Sequence, residues 1–365
     1  MKWKNVTNDE RMQHIDSFVG ITPTMTLALD TLRRCYSAHG KGKQATCCFV
    51  VGETGVGKTT VANEFLEEIR AEQMGVLRDG QNLQVPDKEA YPHDMSVTLV
   101  KPGHGLVRPV LKVFVGKKTT YKQLLAKTLT AIGINVQKAA RYGDMLAIAR
   151  KQIKEQDIRL IIFDECQHIA DCSTGREPYE AADVFKALMK ETRVQIACVG
   201  LPYALDLLLA NRQLETELKE QRTMNPFEPD FNDGSEFMEF LKALSADLPF
   251  DHTQTIHKAP TAIRLHLASD GYIAGISMMV SEAAKIAIED GLQVVDLKLL
   301  GEVYRRKHDV PPNENPFLLP TVDPDGFRAL KAARLKERIQ ESERNRALRR
   351  KKARALKREA ASLES

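Results

Sequence analysis

Residues 52–59 read GETGVGKT, three glycines followed by a lysine and a threonine, and fit the pattern G-x4-G-K-[ST]. An apolar run, ATCCFVVG, leads into this stretch, and a helix-like run follows it. Glycines let successive backbone N–H groups point at phosphates, and a helix that begins near Lys58 adds its positive end. We expect Lys58 to reach the β- and γ-phosphates of a nucleotide. The expected nucleotide-binding residues are Gly52, Glu53, Thr54, Gly55, Val56, Gly57, Lys58, Thr59 and Thr60.

A second motif, LIIFDE, follows about a hundred residues later and ends in two consecutive carboxylates, Asp164 and Glu165. Four apolar β-forming residues before the acids indicate a buried strand with the carboxylates at its end. We expect Asp164 and the Thr59 hydroxyl to hold Mg²⁺, and Glu165 to polarise the attacking water as the catalytic base. Together the two motifs predict ATP hydrolysis with ATP and Mg²⁺ as cofactors. A GTPase is disfavoured because the chain has no N-K-x-D sequence.

The elements that must position these residues follow an alternating pattern. Short all-apolar runs alternate with helix-like segments up to about residue 235, which predicts α/β architecture with a parallel sheet covered by helices. Later segments are helix-like only, which predicts a small all-helical lid domain followed by a basic helical tail. The predicted parts are an N-terminal helical segment 1–44, an α/β nucleotide-binding domain 45–234 with an insertion near 75–106, a lid domain 235–309, a Pro-rich linker 310–326 and a tail 327–365.

Charge is distributed unevenly along the chain of 365 residues, whose formal net charge is +4. Residues 326–365 contain 14 lysines and arginines against five acidic residues, so the rest of the chain is slightly acidic. A basic tail predicts contact with a polyanion or an acidic partner. No apolar run reaches about 18 residues and the N-terminus lacks an apolar signal region, so we expect a cytoplasmic protein without membrane contact.

The combination of motifs resembles the AAA+ ATPase superfamily, and more narrowly its transposition-regulator branch. That branch contains the TniB and TnsC proteins of Tn-seven-like elements, with the phage Mu B protein as a more distant relative. The similarity covers about residues 12–308. It rests on GETGVGKTT, LIIFDECQHI, VGLPYALDLLLANRQLETE and LASDGYIAGISMMVSEAAKIAIEDG.

This resemblance implies an ATP-dependent DNA-binding regulator of transposition. Such a protein assembles with itself as a ring or helical filament on double-stranded DNA, without sequence preference, and links a target-selector protein to a transposase. ATP would lie between neighbouring subunits, and its hydrolysis would take the assembly apart. Two alternatives stay open: a replication initiator or helicase loader, and a secretion or signalling ATPase that does not bind DNA.

The resemblance also implies an arginine that completes the ATP site of a neighbouring subunit, for which Arg212 and Arg222 are the candidates. Relatives often have an arginine three residues after QL, where this chain has Glu217. Ala274 and Gly275 stand where a lid arginine is expected, and the strand VQIACVG lacks the usual polar sensor. These differences predict slow hydrolysis, suited to a timer.

DNA contact is expected from the loop after the second predicted sheet strand, because in AAA+ filaments this loop faces the central channel. Its lysines would pair with phosphates and its threonines would donate hydrogen bonds, independently of base sequence. The expected DNA-binding residues are Lys117, Lys118, Thr119, Thr120 and Lys122. The basic tail has two interpretations, since it could lie along DNA or dock on an acidic groove of a transposase.

Overall fold

A computed structural model of the protein describes residues 3–42, 44–78, 96–101, 105–117, 119–137, 140–170, 177–209 and 212–363. The chain divides into two compact units. The sheet unit comprises Val19–Pro226 with Tyr272–Ala274, and the helical unit comprises Met1–Phe18, Phe227–Gly271 and Gly275–Ser365.

The described residues form six strands and fourteen α-helices. The strands are β1 (Cys47–Gly52), β2 (Val97–Lys101), β3 (Gly105–Phe114), β4 (Leu160–Asp164), β5 (Gln195–Gly200) and β6 (Leu218–Met224). The helices are α1 (Asn8–Ser17), α2 (Pro23–Ser37), α3 (Lys58–Arg78), α4 (Tyr121–Ile132), α5 (Tyr142–Glu155), α6 (Gln167–Ala170), α7 (Glu177–Thr192), α8 (Asp206–Leu209), α9 (Arg212–Glu217), α10 (Glu236–Asp247), α11 (Ala259–Ser269), α12 (Ile273–Glu289), α13 (Leu297–His308) and α14 (Pro324–Leu363). Short 3₁₀ helices span Pro202–Leu205 and Pro312–Glu314.

One sheet in the order β2-β3-β4-β5-β1-β6 forms the centre of the sheet unit. Strands β3, β4, β5, β1 and β6 pair in parallel, and β2 pairs antiparallel with β3. All residues of β1, β4 and β5 are buried, as expected for parallel strands covered on both faces. This confirms the α/β fold predicted from the apolar runs.

Alternating side chains of the central strands supply two separate apolar cores. On β1, Phe49 and Val51 pack into a cluster with residues of α4, α5 and α7. Cys48 and Val50 point the other way, into a cluster with residues of α2 and α3. The two-residue period of a strand therefore fixes a three-layer arrangement, in which α3 is held directly after the carboxyl end of β1.

The segment after β5 differs from its prediction. The run PYALDLLLANRQLETELKEQ predicts one helix over residues 202–221, whereas short helical turns end at Glu217 and β6 begins at Leu218. Along β6 the side chains alternate between half-buried and exposed, and the strand pairs in parallel with β1. Leu, Lys, Glu and Gln all favour helices, so this strand exists because of its pairing with β1.

The predicted N-terminal segment 1–44 is divided between the two units, because α1 packs in the helical unit and α2 in the sheet unit. A capping box formed by Thr7 and Glu10 starts α1. The Arg11 Nε donates to the Pro249 carbonyl at 2.9 Å, and Asp16 pairs with Lys285 at 2.7 Å. These contacts place α1 against α10 and α12, although it lies more than 200 residues from them in sequence.

The predicted linker 310–326 is also part of the helical unit. Asn315 is fully buried and its side-chain amide donates to the Gly301 carbonyl at 2.7 Å. Arg264 donates to the carbonyls of Pro316 and Leu319, both at 2.9 Å. Prolines leave these carbonyls outside regular structure, and the buried guanidinium of Arg264 satisfies them. The segment is therefore packed against α11 and α13.

Candidate nucleotide site

The loop between β1 and α3 has the conformation that its glycines allow. Gly55 and Gly57 have positive φ angles of 91° and 96°, which side-chain-bearing residues rarely adopt. At Gly52, a Cβ atom would lie 2.4 Å from the Met224 carbonyl oxygen of β6. Two glycines thus shape the turn, and the third allows the neighbouring strand to approach.

Lys58 opens α3 and is 8% exposed. Its Nζ donates to the carbonyls of Gly52 and Glu53, at 2.8 and 2.9 Å, so the ammonium lies within the curve of its own loop. Burial lowers the pKa of Lys58, while the carboxylates of Glu165, Asp164 and Glu53 act in the opposite direction. The ammonium is therefore held where it can contact phosphates, close to the second motif.

The other loop residues differ in exposure. Glu53, Thr54 and Thr59 are exposed, Thr60 is half-buried and Val56 is buried in the apolar core. The Ala274 N–H donates to the Gly55 carbonyl at 3.0 Å. A small residue thus touches the loop at the position where the resemblance leads one to look for a lid arginine.

Asp164 ends β4, one strand away from β1 across β5, so the sheet brings the two motifs to the same edge. Parallel sheets bind ligands at this edge, beyond the carboxyl ends of the strands. Asp164 is 4% exposed, and its Oδ1 accepts from the Glu165 N–H at 3.0 Å. Glu165 has φ of 57°, an unusual angle for a non-glycine residue, which directs the chain sharply away from the strand.

Sequence reasoning missed Gln167, which connects Glu165 to the end of β5. Gln167 is 1% exposed, its Nε2 donates to Glu165 Oε2, and its Oε1 accepts from the Leu201 N–H at 3.1 Å. A Cβ atom at Gly200 would lie 2.5 Å from the Gln167 Oε1, so glycine leaves room for this amide. The sequence signal was a glutamine two residues after Glu165, the expected catalytic base, together with the glycine that ends β5.

Lys112 was also missed, because it lies in a strand that otherwise reads as apolar. Its Nζ lies 3.2 Å from Asp164 Oδ2 and 2.8 Å from Asn63 Oδ1. The lysine side chain is 1% exposed and that of Asp164 is 6% exposed, so this ion pair is buried. A cation of the protein therefore already lies beside the carboxylate expected to hold the metal.

The two candidate arginines have different settings. Arg222 lies in β6 rather than beside a helix, and its Nη2 is 3.3 Å from Glu220 Oε1. Its Nε is buried without a hydrogen-bond partner. Arg212 begins α9, and its side chain lies outside the described part of the structure. An arginine acting on a neighbouring subunit therefore stays a prediction for both.

The loop after β3 contains residues with structural roles as well as exposed cations. Thr119 is 1% exposed and its hydroxyl donates to the Gly116 carbonyl, while Thr120 caps α4 through the Gln123 N–H at 3.3 Å. Lys117 is exposed and Lys122 half-buried, whereas Lys118 lies outside the described residues. Lys117 and Lys122 are the members of this set best placed to meet a polyanion.

The donor set at the edge of the sheet suits a hard divalent cation. Thr59 offers a hydroxyl oxygen and Asp164 a carboxylate oxygen, which are the kinds of ligand that Mg²⁺ prefers in proteins. Thr59 and Asp164 therefore fit a magnesium–nucleotide complex.

A phosphate-binding loop after β1, an acidic pair after β4 and a helical region after the sheet define the P-loop AAA+ fold. Residues 40–208 match the family model described as an AAA domain. A search of curated proteins found no match.

Several solved structures share this fold at low sequence identity. The ORC1 protein of Aeropyrum pernix in complex with DNA is 14% identical, with a TM-score of 0.54 over 83% of this chain and 70% of that one. The A. pernix ORC2 protein in ADPNP–ADP complexes is 15% identical, with a TM-score of 0.51 over 83% and 73%. Cdc6p of Pyrobaculum aerophilum is 10% identical, with a TM-score of 0.50 over 83% and 75%. At these identities the similarity shows the fold.

In the described part of the chain, no helix by itself has both the length and the apolar character needed to cross a membrane, although the bent pair Ala259–Ser269 and Ile273–Glu289 does when taken together.

Proposed function

We propose that this protein is an ATPase that binds double-stranded DNA in its ATP-bound state and releases it after hydrolysis. The main support for ATPase activity is that the phosphate loop and the acidic motif lie close together. Lys58 is held inside the phosphate loop, and the carboxylates of Asp164 and Glu165 act on its pKa from the neighbouring motif. Nucleotide binding to structurally similar proteins, such as the A. pernix ORC2 protein in ADPNP–ADP complexes, supports the same conclusion.

In the proposed reaction Lys58 and the loop N–H groups bind and orient the β- and γ-phosphates. Thr59 and Asp164 would hold Mg²⁺, which would neutralise developing phosphate charge. Glu165 orients the attacking water and accepts its proton, and Gln167 restrains the Glu165 carboxylate by donating to its Oε2. The chain turns sharply at Glu165, directly after Asp164, and the two carboxylates contact different side chains, Gln167 and Lys112.

Exposed positive charge supports the DNA half of the proposal. Lys117 is exposed directly after β3, and Phe114 at the end of that strand is 58% exposed. Along α14, described side chains such as Lys336, Arg338 and Arg344 are exposed as well. Contacts of this kind neutralise phosphates without reading bases, so binding would be salt-sensitive and independent of sequence. The A. pernix ORC1 structure shows DNA bound to a protein of similar fold.

The finer proposal is a regulator of transposition, which rests on the sequence resemblance alone. In this role ATP-bound subunits would assemble as a ring or filament on DNA and connect a target-selector protein to a transposase. Arg212 or Arg222 would complete the ATP site of the neighbouring subunit, where an arginine stabilises transition-state charge.

The similarity in fold to ORC1, ORC2 and Cdc6p favours a second candidate, an initiator or loader ATPase. The two candidates differ in how they use DNA. A regulator of the first kind would cover duplexes of any sequence in extended assemblies, whereas an initiator would form discrete complexes at preferred sequences.

Electron microscopy of the full chain with long duplex DNA and a non-hydrolysable ATP analogue tests the proposal. Nucleotide-dependent assemblies along the DNA are expected, together with equal affinity for duplexes of unrelated sequence. Discrete complexes on one sequence would favour the initiator. Free protein on every duplex, with and without nucleotide, would contradict DNA binding altogether.

A double substitution tests the expected DNA surface. Lys117→Ala with Lys122→Ala should weaken DNA binding and reduce the slope of log affinity against log salt by about two, because two phosphate contacts are lost. The matched control is Lys151→Ala with Lys154→Ala, which removes the same charge from exposed positions of α5. Equal loss in both variants would place the DNA surface elsewhere.

A further inference from the structure

Lys112 occupies an unusual place for a lysine. It lies in β3 among buried apolar residues, with Val110, Leu111 and Val113 as its neighbours. Its side chain is 1% exposed, a burial that lysine accepts only when its charge is paired. The position therefore has a specific electrostatic role rather than a role in packing.

Three contacts hold Lys112 in one place. Its backbone N–H donates to Ser96 Oγ at 2.9 Å, and its Nζ contacts Asp164 Oδ2 at 3.2 Å and Asn63 Oδ1 at 2.8 Å. Asp164 belongs to β4 and Asn63 to α3, so one ammonium connects the strand with the acidic motif to the helix of the phosphate loop.

The ammonium is also close to where the metal side of a nucleotide would be. Asn63 follows Thr59 by four residues on α3, so the two side chains share one face of the helix. Asp164 is the carboxylate expected to hold the metal, and both its oxygens already have partners, Glu165 N–H on Oδ1 and Lys112 on Oδ2. A divalent cation at Asp164 would have to share Oδ2 with Lys112 and approach its charge.

We propose that Lys112 is a positioning residue that supplies a permanent cation beside Asp164, and that it makes nucleotide binding less dependent on a divalent ion. Two effects of Lys112 both reduce the dependence of nucleotide binding on a divalent ion. The ammonium attracts the phosphates when no metal is present, and it repels a metal when one is offered. The inference rests on the proposed nucleotide site and specifies how that site divides positive charge between the protein and the metal.

The experiment measures binding of ADP to the full chain in excess Mg²⁺ and in EDTA, by calorimetry or with a fluorescent ADP analogue. The quantity compared is the ratio of the two dissociation constants, metal-free over magnesium. In Lys112→Met this ratio should rise about tenfold or more over wild type, because the cation is lost from beside Asp164. Magnesium with ADP should also raise the melting temperature of this variant more than that of wild type.

Two variants separate charge from packing. Lys112→Arg keeps the cation and should keep the wild-type ratio. Asn63→Ala removes one hydrogen-bond partner but no charge, so it should lower stability and leave the ratio unchanged. Lys112→Gln, which keeps a polar side chain, repeats the main test if the methionine variant does not fold.

The outcomes distinguish this inference from the function it rests on. If wild type does not bind ADP either in Mg²⁺ or in EDTA, the proposed nucleotide site is contradicted. Normal ADP binding with an unchanged ratio in Lys112→Met and Lys112→Gln would overturn the role of Lys112 alone. An increased ratio in Lys112→Arg would show that the ammonium geometry, and not its charge, is responsible, and would also overturn it.

Discussion

At the scale of single residues, the site is held by polar side chains that are almost completely buried. Gln167 of α6 contacts Glu165, and Lys112 of β3 contacts Asp164. A buried polar group costs free energy unless it is hydrogen-bonded. Gln167 and Lys112 therefore hold the acids that they contact in fixed positions. The two carboxylates thereby have separate neighbours and can have separate roles.

Gln167 provides the residue-scale prediction. Gln167→Met keeps the volume of the side chain but removes the donor to Glu165 and the acceptor for the Leu201 N–H. Hydrogen bonds to charged groups contribute about 1.5–3 kcal/mol, so kcat for ATP hydrolysis should fall about ten- to a hundredfold. Affinity for ATP should stay near that of wild type, since Gln167 is not expected to contact the nucleotide.

Steady-state ATPase assays and equilibrium ATP binding check this prediction together. A matched control is Gln152→Met on α5, which removes a glutamine amide paired with the exposed Glu155. Wild-type kcat in Gln167→Met would show that Glu165 is positioned without it. A parallel loss of ATP affinity would instead indicate a collapsed site.

At the scale of elements, β6 is an edge strand of the sheet, and its residue Glu220 connects it to α2. Arg34 donates to Glu220 from Nε at 2.8 Å and from Nη2 at 2.6 Å, and Thr31 Oγ1 donates at 2.9 Å. Arg222 lies 3.3 Å from the same carboxylate. Glu220 thus connects α2 to Arg222, one of the two arginines proposed to act in the ATP site of a neighbouring subunit.

The carboxylate of Glu220 predicts how stability depends on pH. Hydrogen bonds from Arg34, followed by those from Thr31 and Arg222, lower the pKa of Glu220 from 4.5 to about 2. Because the folded pKa is below the ordinary value, the unfolded chain binds more protons between these two pH values. The stabilisation by Glu220 is therefore complete above about pH 4.5 and is lost as the pH falls towards 2.

Glu220→Gln tests this contact. The variant should melt about 2–4 °C below wild type at pH 7, a modest effect because solvent weakens a partly exposed ion pair. The difference in melting temperature should shrink as the pH falls from 4.5 towards 2, the range given by the shifted pKa. Circular dichroism melts across this range measure it, and a constant difference at every pH would contradict the ion-pair explanation.

How far the sequence predicts the elements depends on whether their determinants are local. The strands β1 and β4 are continuous apolar runs next to recognisable motifs, so their existence follows from the sequence. The strand β6 contains helix-favouring residues and forms only through pairing with β1. The segment 310–326 reads as a linker because its partner, Arg264, lies about fifty residues earlier.

The same distinction applies to the site. The residues of the phosphate loop, and those of the acidic pair, are consecutive in the sequence, and the chemistry of each follows from its type. These residues can therefore be predicted. Lys112 and Gln167 gain their roles from contacts across the sheet, with Asp164 and with the end of β5. A lysine in an apolar strand was a visible irregularity, but its partner depends on the strand order.

At the scale of the whole molecule, the proposed cycle connects hydrolysis in the sheet unit with release of DNA. The tail helix α14 spans Pro324–Leu363, a length of about 60 Å at 1.5 Å per residue. Its first turns pack in the helical unit, where Lys331 pairs with Asp270 at 2.6 Å and Phe327 is buried. The proposed DNA contacts therefore come from both units, from the loop after β3 and from the exposed cations of α14.

Glu165→Gln tests the cycle in the full chain. The amide keeps the size of the side chain but cannot accept the proton of the attacking water, so ATP should bind and persist. Assemblies on duplex DNA formed with ATP should then remain for many times the wild-type lifetime after excess competitor DNA is added. Lys58→Ala is the matched control, since without its phosphate contact no nucleotide-dependent assembly should form. Time-resolved light scattering or microscopy follows the decay. Decay of the Glu165→Gln assemblies at the wild-type rate, with hydrolysis abolished, would show that release does not require hydrolysis and that nucleotide exchange alone controls the lifetime on DNA.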